Sequence, residues 1–169
     1  MSKTNFIIKK DELKVVMERT FNAPREVLFN AFIDPGVITN WWGPAILEIT
    51  IDKLEPKEGG AWRFLHKDSA GNEFAFNGVF KKIAKPGLIT QTFNFEGIPG
   101  DHELLQTATF EENGGKTKVI STSVYKNIQD LEGMVASGME SGAKEGWERL
   151  AGLVERNSSN GYPDIANLY

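Results

Sequence analysis

The chain has 169 residues, 40% of them hydrophobic, and a formal net charge of −4, which fits one acidic globular domain with a sizeable core. That balance argues against nucleic acid, whose phosphates call for a basic surface, and the lack of cysteine removes disulfides, thiol catalysis and thiolate metal centres. No stretch nears the roughly 20 apolar residues of a membrane span, and the N-terminal MSKTNFIIKKDE has no signal-peptide run, so a cytoplasmic protein is expected.

Residues 13–21, LKVVMERTF, are rich in β-branched side chains and predict a strand. Pro24 suits the first turn of a helix that carries Val27, Leu28, Ala31 and Phe32 on one side. Asp34 as N-cap and Pro35 at the first position predict a second short helix, ending at Trp41-Trp42-Gly43-Pro44. Strands follow over 45–54, 61–68, 73–84, 88–96, 102–112 and 116–126. Pro86-Gly87 fits the centre of a type II turn, and Asn113-Gly114 signals a hairpin.

After Asn127 the period becomes 3.6 until about Arg156, which predicts one amphipathic helix of roughly 30 residues and about 45 Å. Leu131, Met134, Val135, Met139, Leu150 and Leu153 share its apolar face. Gly138, Gly142 and Gly146 fall in the middle of that face, although each glycine costs a helix about 1 kcal/mol relative to alanine. Either a neighbouring backbone comes close there or a ligand needs the room. Close packing is expected at Gly146, and ligand space at Gly138 and Gly142. Two helices, six to seven antiparallel strands and a long C-terminal helix make an α+β layer architecture. A single domain over 1–156 and a C-terminal tail over 157–169 are expected; in the tail, Tyr162, Ile165, Leu168 and Tyr169 are candidates for docking.

Strand alternation places Trp62, Phe64 and His66 on one face, Phe74 and Phe76 on another, and Gln91 with Phe93 on a third. Turned toward the long helix, these faces make an apolar interior with His66 and Gln91 as isolated polar groups, the usual form of a small-molecule site; the alternative is a filled core. Trp41 and Trp42 suit either a lid over a cavity mouth or a packed corner. The candidate ligand contacts are these nine residues together with Met134, Gly138 and Gly142. No catalytic residue is assigned. Asp68 is placed to share a face with His66, but such a pair at a strand end is commonly structural, and catalysis by histidine needs an orienting partner. His102 reads as solvated, as do the carboxylate pairs Glu111-Glu112 and Asp101-Glu103. Two histidines without paired spacing do not make a metal site, and neither a G-x-S-x-G nucleophile motif nor a phosphate-binding glycine loop is present, so no cofactor is expected.

The segment RTFNAPREVLFNAFIDPGVITNWWGP resembles the opening of the family named for the activator of heat-shock protein 90 ATPase, within the SRPBCC (START-like) superfamily. EGGAWRF at 58–64, NEFAFNGVFKKI at 72–83, GGKTKVISTSV at 114–124 and EGWERLAGLVE at 145–155 match in the same order, so the resemblance spans about residues 13–155. It implies a helix-grip fold, a curved antiparallel sheet wrapped around the C-terminal helix and enclosing a cavity. Relatives include carriers of lipids and hydrophobic ligands, polyketide cyclases and co-chaperone domains, and likeness of fold does not choose among them. The expected partner is a small hydrophobic molecule, lipid-like or aromatic, held by a non-enzymatic or weakly catalytic binding domain. The alternatives are a co-chaperone-type module that stimulates a heat-shock ATPase and, more weakly, a cyclase- or hydratase-like enzyme.

Overall fold

Apolar and polar side chains alternate along most of the β-rich stretches, and in the computed structural model, which describes residues 3–160, these become eight antiparallel strands. They are β1 (Asn5–Lys9), β2 (Lys14–Phe21), β3 (Glu48–Leu54), β4 (Ala61–Lys67), β5 (Glu73–Ala84), β6 (Leu88–Phe95), β7 (Leu104–Asn113) and β8 (Lys116–Val124). One sheet holds them in the order β1-β2-β8-β7-β6-β5-β4-β3. Helices α1 (Arg25–Ala31) and α2 (Pro35–Ile38) connect β2 to β3, and α3 (Ile128–Ala136) and α4 (Met139–Asn160) follow β8. This is the helix-grip arrangement, with one strand more than expected. The extra strand is β1, an edge strand with only Phe6 partly buried; pairing with β2, not a burial pattern of its own, makes it a strand.

The single long helix is two. Ser137 ends α3, its Oγ donating to the Met134 carbonyl at 2.6 Å, and Gly138 follows at φ +83°. That left-handed residue is the usual helix stop, where glycine escapes the Cβ penalty. Gly138 therefore lies outside both helices, and the expected stripe of three helical glycines reduces to Gly142 and Gly146. Helix α4 runs to Asn160, past the expected end at Arg156; the proposed docking residues of the tail lie outside the described residues.

Two turns also differ from expectation. Gly114 and Gly115, at φ +63° and +81°, form the two-residue loop between the paired Asn113 and Lys116. A type I′ hairpin needs positive φ at both central positions, so the loop sits one residue beyond Asn113-Gly114. Lys85–Pro86 is a cis peptide, and Gly87 N donates to Ala84 O at 2.8 Å, so proline is the third residue of its turn and not the second.

Local chemistry fixes the two short helices. Asp34 caps α2 as expected, its Oδ1 accepting from Gly36 N at 2.8 Å. Pro24 occupies the N-cap of α1, and the Glu112 carboxylate accepts from Arg25 N at 2.9 Å. Glu112, expected to be simply solvated, thus satisfies an orphan donor at a helix start. The packed core lies where α1 and the C-terminal half of α4 meet the sheet, around Leu28, Phe29, Phe110, Trp147, Leu150 and Val154. Arg19 of β2, buried, donates to Glu148 of α4 at 2.6 Å and pins that helix across the sheet. A smaller cluster of Val15, Leu104, Tyr125 and Leu131 seats α3. Between these two packed regions the interior stays open.

Candidate functional site

A cavity of about 720 Å³ lies between the concave face of β4–β8, the segment after α2, and the inner sides of α3 and early α4. The alternation that made strands also makes its wall. In β4 the buried positions are Trp62, Phe64 and His66, and register sets Phe64 opposite Phe76 and His66 opposite Phe74. Trp42 reaches into this row. Its ring lies 5.1 Å from Phe64, 5.0 Å from His66, 5.3 Å from Phe76 and 6.5 Å from Phe93, mostly at steep interplanar angles. Edge-to-face arrangements at these separations suit the aromatic quadrupole. Trp41 is the packed member of the pair: it is buried, and its Nε1 donates to Ala31 O at 2.9 Å while its ring still borders the cavity.

The corner after the tryptophans needs glycine. Gly43 sits at φ +77°, and a Cβ there would lie 2.5 Å from Cε1 of His66. His66 is only 3% exposed and its Nε2 has no partner, while the Trp42 backbone carbonyl accepts a hydrogen bond from its ring. Burial pushes the His66 imidazole below its ordinary pKa, the carbonyl opposing this more weakly, and the ring is neutral. Asp68 does not join it. Its carboxylate accepts from Ala70 N, Asn72 N and Asn72 Nδ2 at 2.9–3.0 Å and clamps the β4–β5 turn instead. Local backbone donors outcompete a partner on the same strand, and no His66–Asp68 dyad forms.

Across the floor the wall turns polar. Gln91 of β6 stands opposite Gln106 of β7, and Gln106 Nε2 donates to Ser123 Oγ of β8 at 3.3 Å. Tyr125 also borders the cavity; burial pushes its hydroxyl up to about 12, so it remains a neutral phenol. The roof comes from Met134, Gly138 and Gly142. A Cβ on Gly142 would meet Pro44 Cδ at 3.4 Å, an ordinary contact, whereas on Gly146 it would lie 2.8 Å from Trp41 O. Close approach of backbones explains Gly146. Gly138 has open space around it. All twelve residues named from the sequence thus border one cavity.

Sequence reasoning missed the rim. His102, read as solvated, bridges two elements: Nδ1 lies 2.8 Å from Asp130 Oδ1 at the start of α3, and Nε2 lies 2.8 Å from Pro99 O. These partners hold its pKa above the ordinary value, Asp130 most strongly. Beside it Asp101 pairs with Lys126, which holds that carboxyl below the usual range. No spacing signal connects positions 102 and 130; only the fold joins them. Gln106 and Ala108 were within reach of the alternation that found Gln91, because they share the cavity face of β7 with Leu104.

Residues 22–155 match the family described as activator of Hsp90 ATPase homolog 1-like protein. The chain belongs to this family. No curated protein matches its sequence. Among solved structures, a Mycobacterium smegmatis protein shares 20% identity at a TM-score of 0.81, covering 89% of this chain and 96% of its own. A member of the family from Silicibacter pomeroyi shares 22% identity at 0.69, covering 82% and 95%. An HSP90 activator from Plasmodium falciparum shares 23% at 0.50, covering 66% and 72%. At such identities the structural likeness establishes the family's fold and not a shared activity. Among the described residues no helix is long and apolar enough to cross a membrane.

Proposed function

We propose that this member of the family binds one small hydrophobic molecule, aromatic or lipid-like, inside the grip, without transforming it. The supporting observation is the cavity itself: about 720 Å³, walled mainly by aromatic and aliphatic side chains with a few convergent polar groups. Ligand sites commonly span about 300–1,000 Å³ with that composition. Binding is favoured over chemistry because neither histidine combines a free ring nitrogen with an orienting carboxylate. His66 has no orienting carboxylate, and both nitrogens of His102 are engaged.

A ligand that binds only the folded state stabilises it by about 2.7 kcal/mol at a hundred times its Kd. For a domain of this size that is roughly 5–10 °C in Tm. A panel of naphthalene derivatives and medium-chain alcohols is expected to contain molecules that raise Tm by several degrees. Ala108→Phe, which puts a ring on the cavity floor, is expected to abolish those shifts. A panel that leaves wild-type Tm unchanged throughout contradicts the reading. A second reading, a module that stimulates a heat-shock ATPase, has the family's description in its favour; titration against such an ATPase separates the two.

A further inference from the structure

The cavity wall is divided by chemistry. On the β4–β5 side it is mainly aromatic, with the Trp42 ring against both Phe64 and Phe76, and its unpartnered polar atoms there are the deeply buried His66 Nε2 and Trp62 Nε1. On the β6–β8 side it carries carboxamides and hydroxyls. The boundary runs along β6, where Phe93 belongs to the aromatic cluster and Gln91, two residues earlier on the same face, begins the polar part.

Charge is nearly absent from this wall. No Lys or Arg borders the cavity among the described residues, and its two ionisable rim groups, His102 and Asp130, bond each other at 2.8 Å. A carboxylate or phosphate taken inside would lose its hydration without gaining a free cation, which is costly. Neutral polar groups face a different situation. Gln91 makes no side-chain hydrogen bond among the described residues, and Gln106 uses a single N–H, to Ser123 Oγ. Directly opposite residues on paired strands have Cβ atoms about 4.5–5.5 Å apart. The two amides therefore present adjacent donors and acceptors to the same space. Half-buried amides without partners are unfavourable until water or a ligand satisfies them.

We propose that the cavity selects neutral aromatic molecules bearing a hydroxyl or carbonyl group at one edge, and that the amides of Gln91 and Gln106 read that edge. This deepens the binding reading above and rests on it. Strand geometry adds a size requirement. Residues two apart on β6 are separated by roughly 6.5–7 Å, so a ring stacked at Phe93 reaches Gln91 with its substituent only if the ligand is at least a fused bicycle. An amide both donates and accepts, so it accommodates phenols and ketones alike and discriminates against ions by offering no compensating charge.

The test uses naphthalene, 2-naphthol and 2-naphthoate, three probes with one ring system, titrated by tryptophan fluorescence at neutral pH. In wild type the neutral 2-naphthol is expected to bind about tenfold tighter than naphthalene, and 2-naphthoate weakest of the three. In the double variant Gln91→Leu with Gln106→Leu, the ratio of naphthol to naphthalene affinity is expected to fall toward one; cooperative thermal unfolding of the free variant checks its fold. Equal binding of naphthol and naphthalene by wild type, tightest binding of naphthoate, or an unchanged ratio in the double variant overturns the inference while leaving the binding reading intact. Failure of all three probes to bind wild type overturns both.

Discussion

Two glycines four residues apart on α4 carry opposite requirements. At Gly146 an added Cβ would sit 2.8 Å from the Trp41 carbonyl oxygen, and backbone cannot move aside as a flexible side chain can. At Gly142 the same atom would touch the Pro44 ring at 3.4–3.8 Å. Alanine in a helix is worth about 1 kcal/mol over glycine. Gly142→Ala is therefore expected to raise Tm by a few degrees and Gly146→Ala to lower it, as measured by thermal denaturation; the reverse order would contradict the assigned contacts. The sequence pattern had already set these glycines on the inner face and separated Gly146 from Gly142. It missed Gly138, because a helical wheel assumes an unbroken helix and glycine reads alike inside a helix and at its stop.

Among the elements, the segment joining β6 to β7 is held by His102, and its electrostatics give a signed pH dependence. The His102 pKa is raised in the folded state by Asp130, Pro99 O and, more weakly, Asp101. Its stabilisation is thus complete below the unfolded value near 6.5 and is lost as pH rises through the higher folded value. His66 works the other way. Its folded pKa is lowered by burial, so its protonation opposes folding as pH falls below about 6.5. Asp68, Asp101 and Glu96, the last accepting from Arg63 Nε and Nη2 at 2.9 Å, have lowered values and add stability that is lost only in more acidic solution, as pH falls from the ordinary carboxylate range through those values. His102→Gln isolates the first effect. The Tm difference between wild type and this variant is expected to be larger at pH 5.5 than at pH 8.5, and a difference independent of pH would show that the bridge does not titrate.

Legibility at this scale follows the range of the interactions. The cap of α2 depends on residues two apart, and Asp34-Pro35 announced it. The aromatic strand faces depend on period two, and the alternation of β4, β5 and β6 announced them. Strand β1, the Glu112 cap on Arg25 and the His102–Asp130 bridge depend on partners that the chain brings together only after the sheet has formed. Nothing within a local window encodes them.

On the scale of the molecule, one sheet does two tasks. Near α1 and the C-terminal half of α4 it closes a packed core, and Arg19 bound to Glu148 fixes the helix across it. Near α3 and the start of α4 the same concave surface stays uncovered, because Gly138 breaks the helix and Gly133, Gly138 and Gly142 bring no side chains to the roof. The opening glycine pattern thus has two physical meanings, close approach at one end and open space at the other. Family membership fixes the frame but not its contents, and the binding proposal fills the open half with a small apolar molecule. Indole N–H resonances report on it directly, since all four tryptophans, Trp41, Trp42, Trp62 and Trp147, border the cavity. In a ¹H–¹⁵N titration with naphthalene, saturable shifts of the Trp42 and Trp62 indole signals are expected, with the backbone amides of Glu111 and Lys118, paired residues of β7 and β8 outside the cavity lining, unmoved. Indole signals that stay fixed while the probe reaches its solubility limit would contradict the proposal.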